Sequence, residues 1–169
     1  MEITTDIVLK GKVWNSLISG LSKIFAGKTN YDIFVLCASI GIMYDKKIDV
    51  LDADSSDEPK YVPKVVLGNH RDVIELLFQT AILTTNTILI DEEERLQLAF
   101  DDTRTEFKRF DFLLGFANYG ASKLAEMLGK TDIATMENLR SYINAVAEDF
   151  DLDLSPLTDE EAFSEEIDE

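Results

Sequence analysis

The stretch Thr105–Lys130, TEFKRFDFLLGFANYGASKLAEMLGK, decides the fold class. Phe107, Phe110, Leu114, Ala117, Ala121, Leu124 and Leu128 recur at alternating spacings of three and four, which lines them along one side of a helix. Leu113, Phe116, Gly120 and Met127 widen that stripe, so the segment predicts a central core helix rather than half of a two-stranded coil. Gly115, Ala117, Gly120 and Ala121 are small enough to let another helix come close. Gly129 is the expected stop.

Working outward, the same periodicity recurs on both sides. Val13–Ala26 carries Trp14, Leu17, Ile18, Leu21, Ile24 and Phe25 on one face, with Gly27 as its terminator. Asn30–Asp45 is apolar almost all round, and its length favours a buried helix over a strand. A third helix is expected from His70, N-capped by Asn69, with Val73, Leu76, Leu77, Ala81 and Leu83 facing inward. A short one follows Asp91, with Leu96, Ala99 and Phe100 as its apolar face. Downstream, Ile133–Phe150 repeats Ile133, Met136, Leu139, Ile143, Val146 and Phe150. The pattern breaks between Lys46 and Gly68, where Asp52–Pro59 reads as an acidic loop. Ile48–Leu51 and Tyr61–Leu67 are the candidate strands flanking it, the second demoted to an edge by Pro63. The expectation is a mainly α protein. It has a single compact helical domain of five to six helices over residues 1–150, with room for one short β-hairpin. Residues 151–169 form an acidic C-terminal tail.

Composition narrows the functional classes. The chain has 169 residues, is 46% apolar and 29% charged, and holds one Cys and one His. No apolar run reaches the roughly 18 residues of a membrane helix, and the N-terminus lacks a signal-peptide pattern. A cytoplasmic location without membrane contact is therefore expected. The net charge of −17 is unevenly spread: 11 of the 33 acids fall from Glu148 to Glu169, where there is no base. The body is only mildly acidic, and its bases are scattered, Lys46-Lys47 and Lys108-Arg109 being the only adjacent pairs. Direct nucleic-acid binding is not expected from that distribution.

Few residues carry chemistry. Calcium loops starting at Asp52 or Asp149 place Asp57 or Leu154 where the tight turn needs glycine. Asp91, Glu92, Glu93 and Glu94 are consecutive, so on a helix they point apart; they read as a negative first turn favoured by the helix dipole. Cys37 falls in the most apolar segment and His70 at a loop-to-helix junction, so a Cys–His nucleophile pair is the weaker reading of both. Nucleotide-binding, hydrolase and metalloprotease motifs are absent. No catalytic, cofactor or metal residues are expected, and the chain reads as a non-enzymatic binding protein.

The tail supplies the candidate partner-binding residues. Phe163 and Ile167 are four apart and flanked by Glu160, Glu161, Glu165 and Glu166, a pattern that reads either as a flexible, solubilising terminus or as a segment that orders on a basic, apolar groove. The alternatives are a DNA-mimic regulator that occupies the basic groove of a DNA-binding protein, and an enzyme using His70. Homo-oligomerisation is left open by the sequence.

Two stretches carry a resemblance. Asp32–Gly41, DIFVLCASIG, and Phe107–Leu128, with Phe116-Ala117-Asn118-Tyr119-Gly120-Ala121, resemble segments of the small Dnd system-associated proteins encoded beside bacterial DNA-phosphorothioation and restriction clusters. Phe116 stands where that family has its first aromatic and Tyr119 where it has the first of two glycines, and the loop after Gly41 is acidic rather than basic. The resemblance implies an accessory component of a DNA-modification or anti-phage system. Its protein partner would be an ATPase, nuclease or regulator with a basic surface. It brings no active-site residues with it.

Overall fold

The structure, a computed structural model, describes residues 3–52, 57–101 and 106–151. These residues are mainly helical: β1 (Ile7–Leu9), α1 (Lys12–Leu21), α2 (Asn30–Met43), β2 (Lys60–Val62), α3 (Lys64–Asn69), α4 (Arg71–Thr84), α5 (Glu92–Phe100), α6 (Arg109–Ala125) and α7 (Asp132–Asp149). The chain divides into two compact units, Met1–Leu128 and Gly129–Glu169. Among the described residues no helix is long and apolar enough to cross a membrane.

The first unit is organised on the crossing of α2 and α6. Phe34, Cys37 and Ala38 of α2 and Leu113, Phe116, Ala117 and Ala121 of α6 are fully buried. Two glycines make the crossing close. A Cβ on Gly41 would press into the carbonyl of Phe116, and a Cβ on Gly120 into that of Cys37, each within 2.6 Å of the carbonyl carbon. The small residues of α6 thus serve the close approach expected of them, and each glycine Cα–H faces a carbonyl of the other helix. The innermost stripe is rotated from the expected one. Phe107, Phe110, Leu114 and Leu128 are half-buried, while Leu113, Phe116 and Gly120, read as flanking, lie inside.

A buried amide fastens the surroundings to α6. Trp14 Nε1 donates to Asn118 Oδ1 at 2.8 Å, and Asn118 Nδ2 donates to the Ile48 carbonyl at 2.9 Å. The Ile48 N–H returns to the Gly115 carbonyl at 2.9 Å. Ile48–Leu51 is accordingly a loop anchored on α6, not the strand its composition suggests. The strands are instead Ile7–Leu9 and Lys60–Val62, paired antiparallel with Val8 opposite Tyr61. Pro63 ends β2 and N-caps α3, its φ of −64° being ready-made for a helix start. Asn69 closes α3 rather than capping α4, whose N-cap is His70.

α4 and α5 form a helical hairpin, and its turn is held by side chains. Asp45, left-handed at φ 48° after the end of α2, accepts from Thr85 Oγ1 at 2.6 Å, from the Asn86 N–H at 2.8 Å and from Asn86 Nδ2 at 3.2 Å. Arg95 donates to the carbonyls of Ile82 at 2.9 Å and Thr85 at 2.6 Å, satisfying the acceptors that the end of α4 leaves open. Arg109 does the same for α5 through Leu98 and Asp101, with its guanidinium 4.8 Å from the Phe78 ring centre. Burial works against the ionised Asp45, but the Thr85 hydroxyl, the Asn86 donors and the Arg95 charge outweigh it and hold its carboxyl below the usual range. A carboxyl lowered on folding stabilises the fold above its unfolded pKa and ceases to do so as pH falls through the folded one. Asp45→Asn, which tolerates the left-handed backbone, is therefore expected to flatten the fall in stability on the acid side of about pH 4. Urea melts of both proteins at neutral pH and near pH 3 check this; parallel losses would refute it.

The second unit contains α7. Thr131 caps it by accepting from the Ala134 N–H at 3.1 Å, and the Thr135 hydroxyl accepts from the Gly129 N–H at 2.9 Å. Of the expected apolar face only Leu139 is buried; Ile133, Met136, Ile143 and Phe150 are exposed.

Candidate functional site

The chemistry-bearing side chains are held in structural roles. Cys37 is fully buried, and burial pushes its thiol well above its ordinary value. His70 is exposed and stacks on Tyr31, ring centres 4.6 Å apart. The structure does not bring His70 and Cys37 together as a hydrogen-bonded pair: Cys37 lies against α6 instead. Asp91 caps α5, accepting from the Glu94 N–H at 2.9 Å, while Glu92, Glu93 and Glu94 point to solvent from the first turn. In the acidic loop, Asp52 accepts from the Val13 N–H at 3.1 Å and so caps α1 from a distance. Asp32 closes a capping box with Thr29, whose backbone N–H, at 2.6 Å, is the chief cause of its lowered carboxyl pKa. Among the described residues no group of three or more His, Cys, Asp or Glu is placed to hold a metal. The tail residues Phe163, Ile167, Glu160, Glu161, Glu165 and Glu166 lie outside the described residues.

The fold does gather bases that are separate in sequence. Lys47 and Lys108 border a hollow of about 440 Å³ with Asp49, Phe107, Asp111 and Leu114. Lys46 borders a neighbouring one of about 530 Å³ beside Tyr119, its Nζ 5.8 Å from the ring centre. Lys47 is paired with Asp49 at 2.9 Å and Lys108 with Asp111 at 3.8 Å. Arg109, the remaining member of the two basic pairs, is turned inward to its carbonyls. The hollows are charge-balanced rather than cationic.

The exposed apolar surface is more distinctive. α4 buries Ile74, Phe78, Ala81 and Ile82, so that Leu76 and Leu83, expected inside, face outward at 62% and 38% exposure. α5 buries Leu98 and Ala99, leaving Leu96 and Phe100 outward at 48% and 65%. These four residues belong to the expected core faces, of which Ala81 and Ala99 are buried and Val73 and Leu77 half-buried, and the structure places the four on the solvent side. The physical reason is that each helix carries apolar residues on two sides, and the hairpin uses the other side for packing. α7 repeats the situation with Ile133, Met136, Ile143 and Phe150.

Compared with known protein families, with characterised proteins and with solved structures, the chain matches none.

Proposed function

We propose that this chain is a non-enzymatic accessory protein that acts by binding another protein. The observation that carries this reading is the rows of apolar side chains, at helical spacing, turned to solvent on α4, α5 and α7. Scattered exposed leucines are ordinary, but rows of them on helix faces have the form of docking surfaces. The sequence resemblance to Dnd system-associated proteins supports a setting in a DNA-modification or anti-phage system, with an ATPase, nuclease or regulator as partner. The residues that carry it are packing residues: Gly41 and Gly120 make the α2–α6 crossing, and Asn118 ties Trp14 and Ile48 to it.

Purification of the tagged chain from its host at native expression is expected to bring one protein down in fixed stoichiometry, and His70→Ala is expected to leave that complex unchanged. A chain that elutes alone, also after cross-linking, would count against the reading. Competition by duplex DNA for the partner would favour the DNA-mimic alternative, and a lost activity in the His70 variant would favour the enzyme.

A further inference from the structure

α7 carries two rows of side chains at helical spacing, and only one of them is turned inward. Thr135, Leu139, Tyr142 and Val146, spaced four, three and four, form the inner row: the first two are buried and the last two half-buried. Ile133, Met136, Arg140, Ile143, Ala147 and Phe150, spaced three, four, three, four and three, form a second row beside it. Ala147 is buried, but Ile133, Met136, Ile143 and Phe150 are 71%, 56%, 51% and 46% exposed, and Arg140 is exposed among them. All members of this second row belong to one helix, so helical spacing sets them along one side over a length of about 25 Å.

The second row is complementary to itself. Its spacing reads the same in both directions, so a second α7 laid antiparallel on it sets each member against another member about a twofold axis. Ile133 then faces Phe150 of the second copy, Arg140 faces Ile143, and the bulky Met136 faces the dip left by the small Ala147. Charge favours the same direction. Glu148 and Asp149 close the helix, whereas Lys130 and the helix dipole outweigh Asp132 at its start. Antiparallel pairing puts the acids of one copy beside the positive end of the other; parallel pairing would set acid on acid. Arg140, Glu137 and Asn144 are exposed along one edge of the row. The twofold axis brings that edge of both helices together, so each guanidinium meets the Glu137 carboxylate and the Asn144 amide of the other copy. The four exposed apolar side chains offer roughly 450 Å² and this edge about 200 Å² more, so two faces together exceed the roughly 1,000 Å² that a specific interface needs.

We infer that the chain pairs with a second copy of itself through α7, the two helices antiparallel, with Ile133, Met136, Ile143 and Phe150 in the interface and Arg140 of each copy held by Glu137 and Asn144 of the other. This goes beyond the binding of another protein and does not depend on it: the pairing takes up the row on α7 and leaves those on α4 and α5. An interface near the lower size limit associates in the micromolar range, so monomer and dimer exchange as concentration changes.

Sedimentation of the full chain between about 1 and 200 µM is expected to show a monomer passing to a dimer. Ile143→Lys sets an ammonium against the Arg140 guanidinium of the other copy and should weaken the dimer at least about tenfold. The position is exposed, so the variant should keep the parent's far-UV spectrum. Glu137→Arg and Arg140→Glu should each weaken self-association. Mixed together they should associate about tenfold more tightly than either alone, because an all-basic edge then meets an all-acidic one. That comparison stands even if Ile143→Lys disturbs the fold. Direction is read by cross-linking with oxidised glutathione. An Ile133→Cys chain mixed with a Phe150→Cys chain should form a disulfide-linked pair. Ile133→Cys alone should not, its two copies lying about 25 Å apart. Cys37 is buried and does not compete. A chain monomeric at about 200 µM, a dimer indifferent to Ile143→Lys, no gain on mixing the charge variants, or self-linking of Ile133→Cys would each overturn the inference. A monomer that still co-purifies with a different protein would overturn the α7 pairing alone and leave the protein-binding reading standing.

Discussion

Gly120→Ala is expected to destabilise the protein by about 3 kcal/mol, a large part of the roughly 5–15 kcal/mol that holds a domain together. The sign is informative. In an open helix this substitution stabilises by about 0.4–1 kcal/mol, because alanine has less backbone freedom to lose. At Gly120 the new methyl would meet the backbone of Cys37, which has no rotamer by which to move aside. The helices must part, and the buried side chains along the crossing loosen with them. Gly68, with open space where its Cβ would go, is the matched control and should respond with the ordinary small gain. Gly41→Ala should behave like Gly120→Ala, and the double variant should lose less than both singles combined, since one separation relieves both overlaps. Denaturant melts of the four variants decide it; a stabilised Gly120 variant would show that the helices do not cross as closely as described.

Asn118→Leu is expected to cost about 2–4 kcal/mol with no loss of side-chain volume. Leucine leaves the Trp14 indole N–H and the Ile48 carbonyl without the partners that Asn118 provides at 2.8 and 2.9 Å. A buried polar group left unpaired costs about 1–3 kcal/mol. Trp14→Phe removes one of those demands, so Trp14→Phe/Asn118→Leu should be more stable than the two single losses predict. Additive losses, measured by the same melts, would mean that the indole and the amide are not coupled.

The helices other than α3 are legible because their apolar periodicity is strong, and length marks Asn30–Asp45 as the helix α2; α3 falls in the expected strand Tyr61–Leu67, of which only Tyr61 and Val62 are extended, because the helix starts directly after Pro63. What periodicity does not tell is which of two apolar faces turns inward. In α4 the expected set mixed Ala81 with the exposed Leu76 and Leu83, and in α5 it joined Ala99 to the exposed Leu96 and Phe100. The choice is made by tertiary partners: Phe78 faces Phe107 and Phe112, with ring centres 5.9 and 6.1 Å apart, so its side of α4 becomes the inside. β1 leaves no mark in the sequence because three residues are too few for alternation to stand out, and its partner lies beyond two helices. Arg95 and Arg109 carry no motif either. Their role comes from the carbonyls that happen to end α4 and α5 within reach. Of the candidate site, the acids at the start of α5 are legible in the sequence, while the outward rows on α4 and α5 are hidden because the same residues fit a core face.

The wide sequence separation of the partners that make the core sets the order in which this protein can acquire it. Trp14 and Asn118 are 104 positions apart, and the carbonyl of Ile48 meets Asn118 across 70. During synthesis α1, α2 and both strands leave the ribosome well before α6 exists to receive them. Until then the almost uniformly apolar α2 has no permanent cover. Contacts of such range are slow to form because the chain between them must first be drawn in. The nascent N-terminal half is thus the period of greatest exposure to aggregation and to chaperone capture, and a stop before α6 should yield a product that is cleared rather than one that folds.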